Sequence, residues 1–321
     1  MKKIDVTALG ELLIDFTDSG LSEQGNPVFE SNPGGAPCNV LAMLTKLGHS
    51  TAFIGKVGDD FFGNQLRDAV TEVGIDAEYL LTDKEVHTTL AMVHTYPDGD
   101  RDFSFYRNPG ADMMLSEEEI PEELIKGSKI FHFGTLSMTH DGVRAATKKA
   151  LKIAKESGCI ISFDPNLRPP LWTSLELAKE QVLYGLEYCD VLKISDNEIQ
   201  WLTGKEDYSE GVAWIRERYD IALILVSMGK DGSRAYTKEQ MVEVAPFLRD
   251  NTIETTGAGD TFCGCVLDYV CNKGLDSINE EGLTEMLTTA NAAASIITTR
   301  KGALRVMPSV NEINELLKRM V

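Results

Sequence analysis

The chain has 321 residues, of which 43% are hydrophobic, enough to bury a substantial core. Its 50 Asp and Glu outweigh 31 Lys and Arg, for a formal net charge of -19. A field of that sign repels a nucleic-acid backbone, and no basic run offsets it, which argues against a nucleic-acid partner. It also repels free nucleotide, so any nucleotide site needs local compensation.

No apolar run approaches membrane-spanning length, so no membrane partner is expected. Residues 1–10 read as a first strand, not as a charged-then-apolar leader. None of the six cysteines makes a CxxC pair, and they read as reduced core residues. The five histidines are too dispersed for a metal site. These features point to the cytoplasm and to a small-molecule substrate.

In chain order, short runs rich in β-branched and aromatic residues recur at 4–9, 51–57, 130–133, 160–163, 191–194 and 221–226. Amphipathic helical stretches lie between many of them. Val40, Leu44 and Leu47 share one helical face, and Gly48 follows as a stop. This alternation predicts an α/β fold, a mainly parallel sheet flanked by helices in one domain spanning 1–321. Ligands then bind beyond the carboxyl ends of the strands. Two segments depart from the pattern. Runs 88–96 and 101–107 flank the turn Pro97-Asp98-Gly99-Asp100, and runs 12–16 and 28–29 flank Gly25-Asn26-Pro27. We expect them to form a small β lid from roughly 12–33 and 88–108, the alternative being edge hairpins of the main sheet. Exposed strand edges on such a lid are where a second copy would pair into a homodimer.

Two glycine-rich turns carry the chemistry. The first, Asn32-Pro33-Gly34-Gly35-Ala36-Pro37-Cys38-Asn39, opens a helix; its adjacent glycines let backbone approach a ligand and Asn39 suits a sugar hydroxyl, while the turn taken alone reads equally as a tight turn before a helix. The second, Thr255-Thr256-Gly257-Ala258-Gly259-Asp260-Thr261-Phe262, leads into a helix that runs to about Asn272. Its backbone N–H groups and the helix dipole suit an anion hole, with Asp260 at the lip as a base for an attacking hydroxyl; the alternative, which glycine count alone favours, is an ordinary Asp N-cap behind a flexible loop. The pattern GxxxxGK[ST] is absent, which excludes a P-loop.

In this order and spacing the two turns resemble the signatures of the ribokinase-like (phosphofructokinase-B) carbohydrate kinases. The resemblance extends through Val57-Gly58-Asp59-Asp60-Phe61-Phe62-Gly63, Asp164-Pro165-Asn166-Leu167-Arg168 and the segments 193–198, 227–232 and 291–302. It implies a ribokinase-like fold and transfer of the γ-phosphoryl group of ATP to a sugar hydroxyl with Mg2+. By the resemblance, Asp260 is the catalytic base, Gly257, Ala258 and Gly259 form the anion hole, and Arg168 clamps phosphate. Asp15, Gly34, Gly35 and Asn39 face the sugar, and Phe103 and Arg107 lie on the lid above it. Lys193, Ser195, Glu198, Ser227, Gly229, Gly232 and Asn291 attend the nucleotide, with Glu198 reaching Mg2+ through water. Many relatives carry Asn at the position of Ser195. Glu254 stands where relatives commonly carry Asp near a monovalent cation, which leaves K+ open.

The stretches 10–16, 105–113 and 164–172 look most like fructokinases. 2-Keto-3-deoxygluconate kinase is the first alternative, with Arg107 meeting the substrate carboxylate, and ribokinase the next. A non-catalytic sugar-binding protein on the same fold is the reading of another class; it would have no use for Asp260.

Overall fold

The computed structural model describes residues 4–95 and 101–319, with side chains at 94, 95 and 101–103 outside that description. The turn expected at Pro97-Asp98-Gly99-Asp100 lies outside the described residues. The first strands are β1 (Ile4–Leu9), β2 (Leu13–Leu21), β3 (Pro27–Gly34), β4 (Thr51–Gly58), β5 (Leu80–Asp83), β6 (Leu90–Thr95) and β7 (Arg101–Tyr106). Then come β8 (Ser128–Gly134), β9 (Ile160–Asp164), β10 (Val191–Ser195), β11 (Leu223–Ser227), β12 (Ser233–Tyr236) and β13 (Met241–Val244). The helices are α1 (Ala36–Lys46), α2 (Phe61–Glu72), α3 (Glu122–Lys126), α4 (Asp141–Glu156) and α5 (Leu175–Tyr188). They continue with α6 (Asp196–Thr203), α7 (Tyr208–Arg216), α8 (Ala258–Lys273), α9 (Glu280–Ile297) and α10 (Val310–Lys318).

Nine strands form one sheet in the order β13-β12-β11-β10-β9-β8-β1-β4-β5, parallel except for β12 and β13 at one edge. Both faces are buried, which is why its strands read as apolar runs without alternation. Within β11, Leu223 and Leu225 enter one core while Ile224 and Val226 enter the other. The first core takes α1, α2, α8, α9 and α10 through residues such as Val40, Leu66, Phe262, Leu287 and Ile313. The second takes α4 to α7 through Leu151, Val182, Ile199 and Ile215.

The two hairpins do not extend this sheet. They form a second one, β3-β2-β6-β7, in which β2 joins the hairpins by pairing parallel to β6. The inner end of β2 is buried at Leu13 and Ile14, and its outer end, beyond Thr17, is exposed. Phe16 meets Phe62 of α2 edge-on at 5.5 Å, tying this small sheet to the body.

Strand order reverses at β1. From there the chain builds outward through β4 and β5, then returns beside β1 at β8 and builds the other way. A parallel sheet leaves a crevice above such a point. The small sheet and the glycine-opened ends of α1 and α8 both face it, lining one cavity.

Candidate active site

The crevice holds a cavity of ≈ 420 Å³. Its walls come from the small sheet (Asp15, Thr17, Asn32, Val93, Phe105), the α1 turn (Gly34, Gly35, Asn39) and strand ends (Glu11, Leu136, Asn166, Arg168, Lys193). The floor is the α8 turn, with Thr255, Gly257, Gly259 and Asp260, and Glu254 and Gly302 stand beside it. A second cavity of ≈ 320 Å³ shares Thr255 and Gly259 with the first. Its walls are largely apolar, with Pro246, Phe247, Leu248 and Phe262 beside Ser227, Gly229, Gly232, Ala258 and Asn291. A third, of ≈ 440 Å³, shares Asn166, Arg168 and Lys193 with the first and adds Ser195, Glu198 and Trp201. The polar space therefore meets the apolar one at Thr255 and Gly259 and the cationic one at Asn166, Arg168 and Lys193.

The turns are possible because glycine stands where the backbone bends. Gly35 has φ 136, and a Cβ there would stand 2.4 Å from the Glu11 carbonyl oxygen. Gly257, the N-cap of α8, has φ 74. Both are left-handed conformations that L side chains rarely adopt. The bends aim the first turns of two packed helices at one point, where Asn39 Nδ2 donates to Asp260 Oδ2 at 2.8 Å. Asn39 thus holds the carboxylate expected to be the base, a role beyond the sugar contact read from sequence. Its Oδ1 is buried with no hydrogen-bond partner among the described residues, so the same side chain retains an acceptor for a ligand hydroxyl. Burial raises the Asp260 pKa; the Asn39 hydrogen bond and the Lys193 and Arg168 charges oppose this without cancelling it.

On the cationic side, Lys193 is buried and its Nζ lies 2.9 Å from Asp164 Oδ2. Burial alone would lower the Lys193 pKa, but Asp164, Glu198 and Asp260 raise it overall, so the ammonium is held. Ser195 and Glu198 form a capping box at α6. Glu198 Oε2 accepts from Ser195 N and Oγ, each at 2.8 Å, while its Oε1 accepts from Leu167 N at 2.7 Å. Ser195 therefore orients Glu198. In the apolar space, Asn291 bonds Ser233 and the carbonyls of Val244 and Ala245, closing α9 against the sheet edge. Glu254 Oε1 accepts from Gly302 N at 2.8 Å.

One lid residue, Arg107, differs from expectation, and a second, Phe103, has its side chain outside the described residues. Arg107 follows the end of β7 and turns inward, 6% exposed, lining none of these cavities. Its guanidinium binds Asp112, Thr139 Oγ1 and the Leu136 carbonyl, because a buried carboxylate at 2.7 Å claims it more strongly than an open cavity. The side chain of Phe103 lies outside the described residues, though its strand position pairs with Val93. The aromatic wall of the cavity is Phe105.

Sequence reasoning passed over Glu11. Its carboxyl is buried, with Oε1 accepting the Ala36 N–H at 2.9 Å. Burial pushes its pKa to about 7 despite that bond. The signal was a charged residue directly after an apolar first strand, where the sheet opens.

Among the described residues no helix is long and apolar enough to cross a membrane. The profile of the pfkB family carbohydrate kinases matches residues 3–310. Fructokinase-2 of Solanum lycopersicum is 42% identical over 315 residues, covering 98% of this chain and 96% of that protein. A fructokinase from Xylella fastidiosa solved with bound ATP superposes with a TM-score of 0.90 at 30% identity, covering 99% of both chains. A double-mutant fructokinase from Vibrio cholerae O395, solved with fructose, ADP and a potassium ion, gives 0.86 at 28% identity over 99% of both chains. A match of this extent to sequence, fold and motif order alike makes the chain a member of the pfkB family of carbohydrate kinases.

Proposed function

We propose that this chain is a fructokinase that transfers the γ-phosphoryl group of ATP to the 6-hydroxyl of D-fructose. The observation that carries the reading is the meeting of a polar and an apolar cavity at Gly259, with the Asn39-held Asp260 in the polar one. Fructose occupies the polar cavity, its hydroxyls met by Asp15, the 34–35 turn and Asn39, and its C–H face by Phe105. Adenosine occupies the apolar cavity beside Ser227, Gly229, Gly232 and Asn291. Asp260 accepts the proton of the 6-hydroxyl as its oxygen attacks phosphorus. The N–H groups of Gly257 and Gly259, with Lys193 and Arg168, receive the charge that develops on the transferring group. The Ala258 N–H is used in the turn, where it donates to the Thr255 carbonyl at 3.2 Å.

Among the described residues no cluster of His, Cys, Asp and Glu could hold a metal by itself. Glu198, a carboxylate lining the third cavity with both oxygens already hydrogen-bonded, would meet through water a magnesium ion carried by nucleotide phosphates, whose remaining charge Arg168 and Lys193 would balance. Such an ion neutralises phosphate charge when bound. We place a monovalent cation beside Glu254 and Gly302; replacing K+ by tetramethylammonium should then lower kcat severalfold.

Fructose is favoured over 2-keto-3-deoxygluconate by charge. Arg107 is committed to Asp112, and the sugar end of the cavity presents Glu11 and Asp15. The test is sugar-dependent ADP formation with fructose, 2-keto-3-deoxygluconate and ribose. Fructose should lead in kcat/KM by at least about tenfold; a tenfold lead for the acid sugar would overturn the substrate and leave the kinase. The small sheet serves as the lid, and its exposed Leu21, Phe29 and Tyr106 are where we place pairing with a second copy. Sedimentation velocity checks this: a monomer at micromolar concentration removes the dimer.

A further inference from the structure

Asp164 ends β9 and is 3% exposed, paired with Lys193, which lines the first and third cavities. Its two oxygens do different things. Oδ1 accepts from Asn166 N at 3.2 Å, closing a tight turn in which Asn166 takes φ 43, a left-handed value that no other described residue except glycine adopts. That turn carries Asn166 and Arg168 into both the first and third cavities. Oδ2 lies 2.9 Å from Lys193 Nζ, an ion pair at hydrogen-bonding distance. Lys193 Nζ in turn lies 3.1 Å from where a Cβ on Gly259 would stand.

We propose that Asp164 is a positioning residue for phosphoryl transfer, holding the Lys193 ammonium against the 257–259 turn while folding the loop that brings Arg168 to the same space. The proposal rests on the nucleotide reading above. A buried lysine without an anion sheds its proton or swings to water. Burial lifts Asp164 itself only to about 6, with Lys193 opposing the rise, so at neutral pH it remains the anion that Lys193 needs. Lys193 then faces the turn as a fixed cation where the last phosphate of a triphosphate would sit.

Asp164→Asn keeps an oxygen for the Asn166 N–H and removes the charge, so it isolates the hold on Lys193. Calorimetric titration with Mg·AMPPNP and with AMP reads the effect. Asp164→Asn should weaken AMPPNP about tenfold and AMP less than about twofold, the size of one lost charge-assisted contact. In a Lys193→Met background the same change should cost AMPPNP less than about twofold. Equal weakening of AMP and AMPPNP, no weakening of either, or a full tenfold loss in the Lys193→Met background would each overturn the proposal. If Asp164→Asn does not fold, the double variant, which buries no unpaired charge, is compared with Lys193→Met alone: equal affinities support the proposal and a further tenfold loss sinks it. Fructose-dependent ADP formation by the unaltered protein is measured separately; its failure removes the sugar reading without touching the nucleotide titrations.

Discussion

Two helices enter the site through glycine, and they are finished differently. At α1 the N-cap Gly35 supplies no side chain, and the carboxylate of Glu11, from another segment, accepts the Ala36 N–H. At α8 the N-cap Gly257 likewise supplies none, and among the described residues no distant carboxylate stands in. The acid in its first turn, Asp260, is held sideways by Asn39. One helix end is thus occupied by a carboxyl of the protein itself, and the other is left open to a ligand anion. On the proposed function, the contrast would let a protein of net charge -19 receive nucleotide phosphate. The open end of α8, with Lys193 and Arg168 beside it, supplies a local field of the opposite sign.

The sharpest test of the open end is Asp260→Asn. It should lower kcat by about two to four orders of magnitude, with ATP affinity from calorimetry within about twofold of the unaltered protein. Near-normal turnover would mean that the α8 end binds without activating. At the closed end, Arg107→Met leaves Asp112 buried without its cation. We expect a loss of about 3–5 kcal/mol in urea unfolding, with ATP affinity in the folded fraction unchanged. A wild-type stability and a raised KM for sugar would instead return Arg107 to the ligand.

Glu11→Gln asks whether the closed end needs a charge. A carboxyl raised from the ordinary range near 4.5 to about 7 adds stability at low pH that is lost as pH climbs through 7, since the folded state binds the extra proton. The variant does not titrate. Its stability relative to the parent should therefore improve between pH 4.5 and pH 8, by up to about 3 kcal/mol, as measured by urea melts at both values. A constant difference would place the Glu11 pKa elsewhere. Asn39→Ala should have the smallest effect, lowering kcat about tenfold. Because the Asn39 donor favours the ionised base, losing it raises the Asp260 pKa, and the acid limb of the pH–rate profile should move to higher pH.

The parallel body was readable because burial on both sides forces unbroken apolar runs, and β1, β4 and β8 to β11 follow from them. The glycine turns were readable because φ values of 136 and 74 admit little else. What escaped were contacts made by side chains across long separations. Nothing near Asn39 in the chain marks it as the donor to a residue 221 positions away. Arg107 illustrates the converse: a basic residue at a strand end near a ligand looks like a ligand contact until Asp112 is placed beside it. Glu11 lay in a stretch compared with relatives, but its burial depends on α1 packing over the end of β1. The pairing of β2 with β6, which merges two hairpins into one sheet, likewise has no local signature.

The hydrogen bond from Asn39 to Asp260 also bears on how the protein comes into being. A chain emerging from the ribosome has its sugar turn and small sheet complete once β7 has been made, yet it has no base. The 257–259 turn and α8 arrive only in the last quarter of synthesis, and α8 must then seat against α1, where a Cβ at Gly264 would come within 2.7 Å of Met43 Cβ. On the proposed function, a nascent or truncated product ending before α8 would lack the base and so would not consume ATP by this route. On that reading competence waits on the docking of α8 against α1, a contact spanning 221 positions.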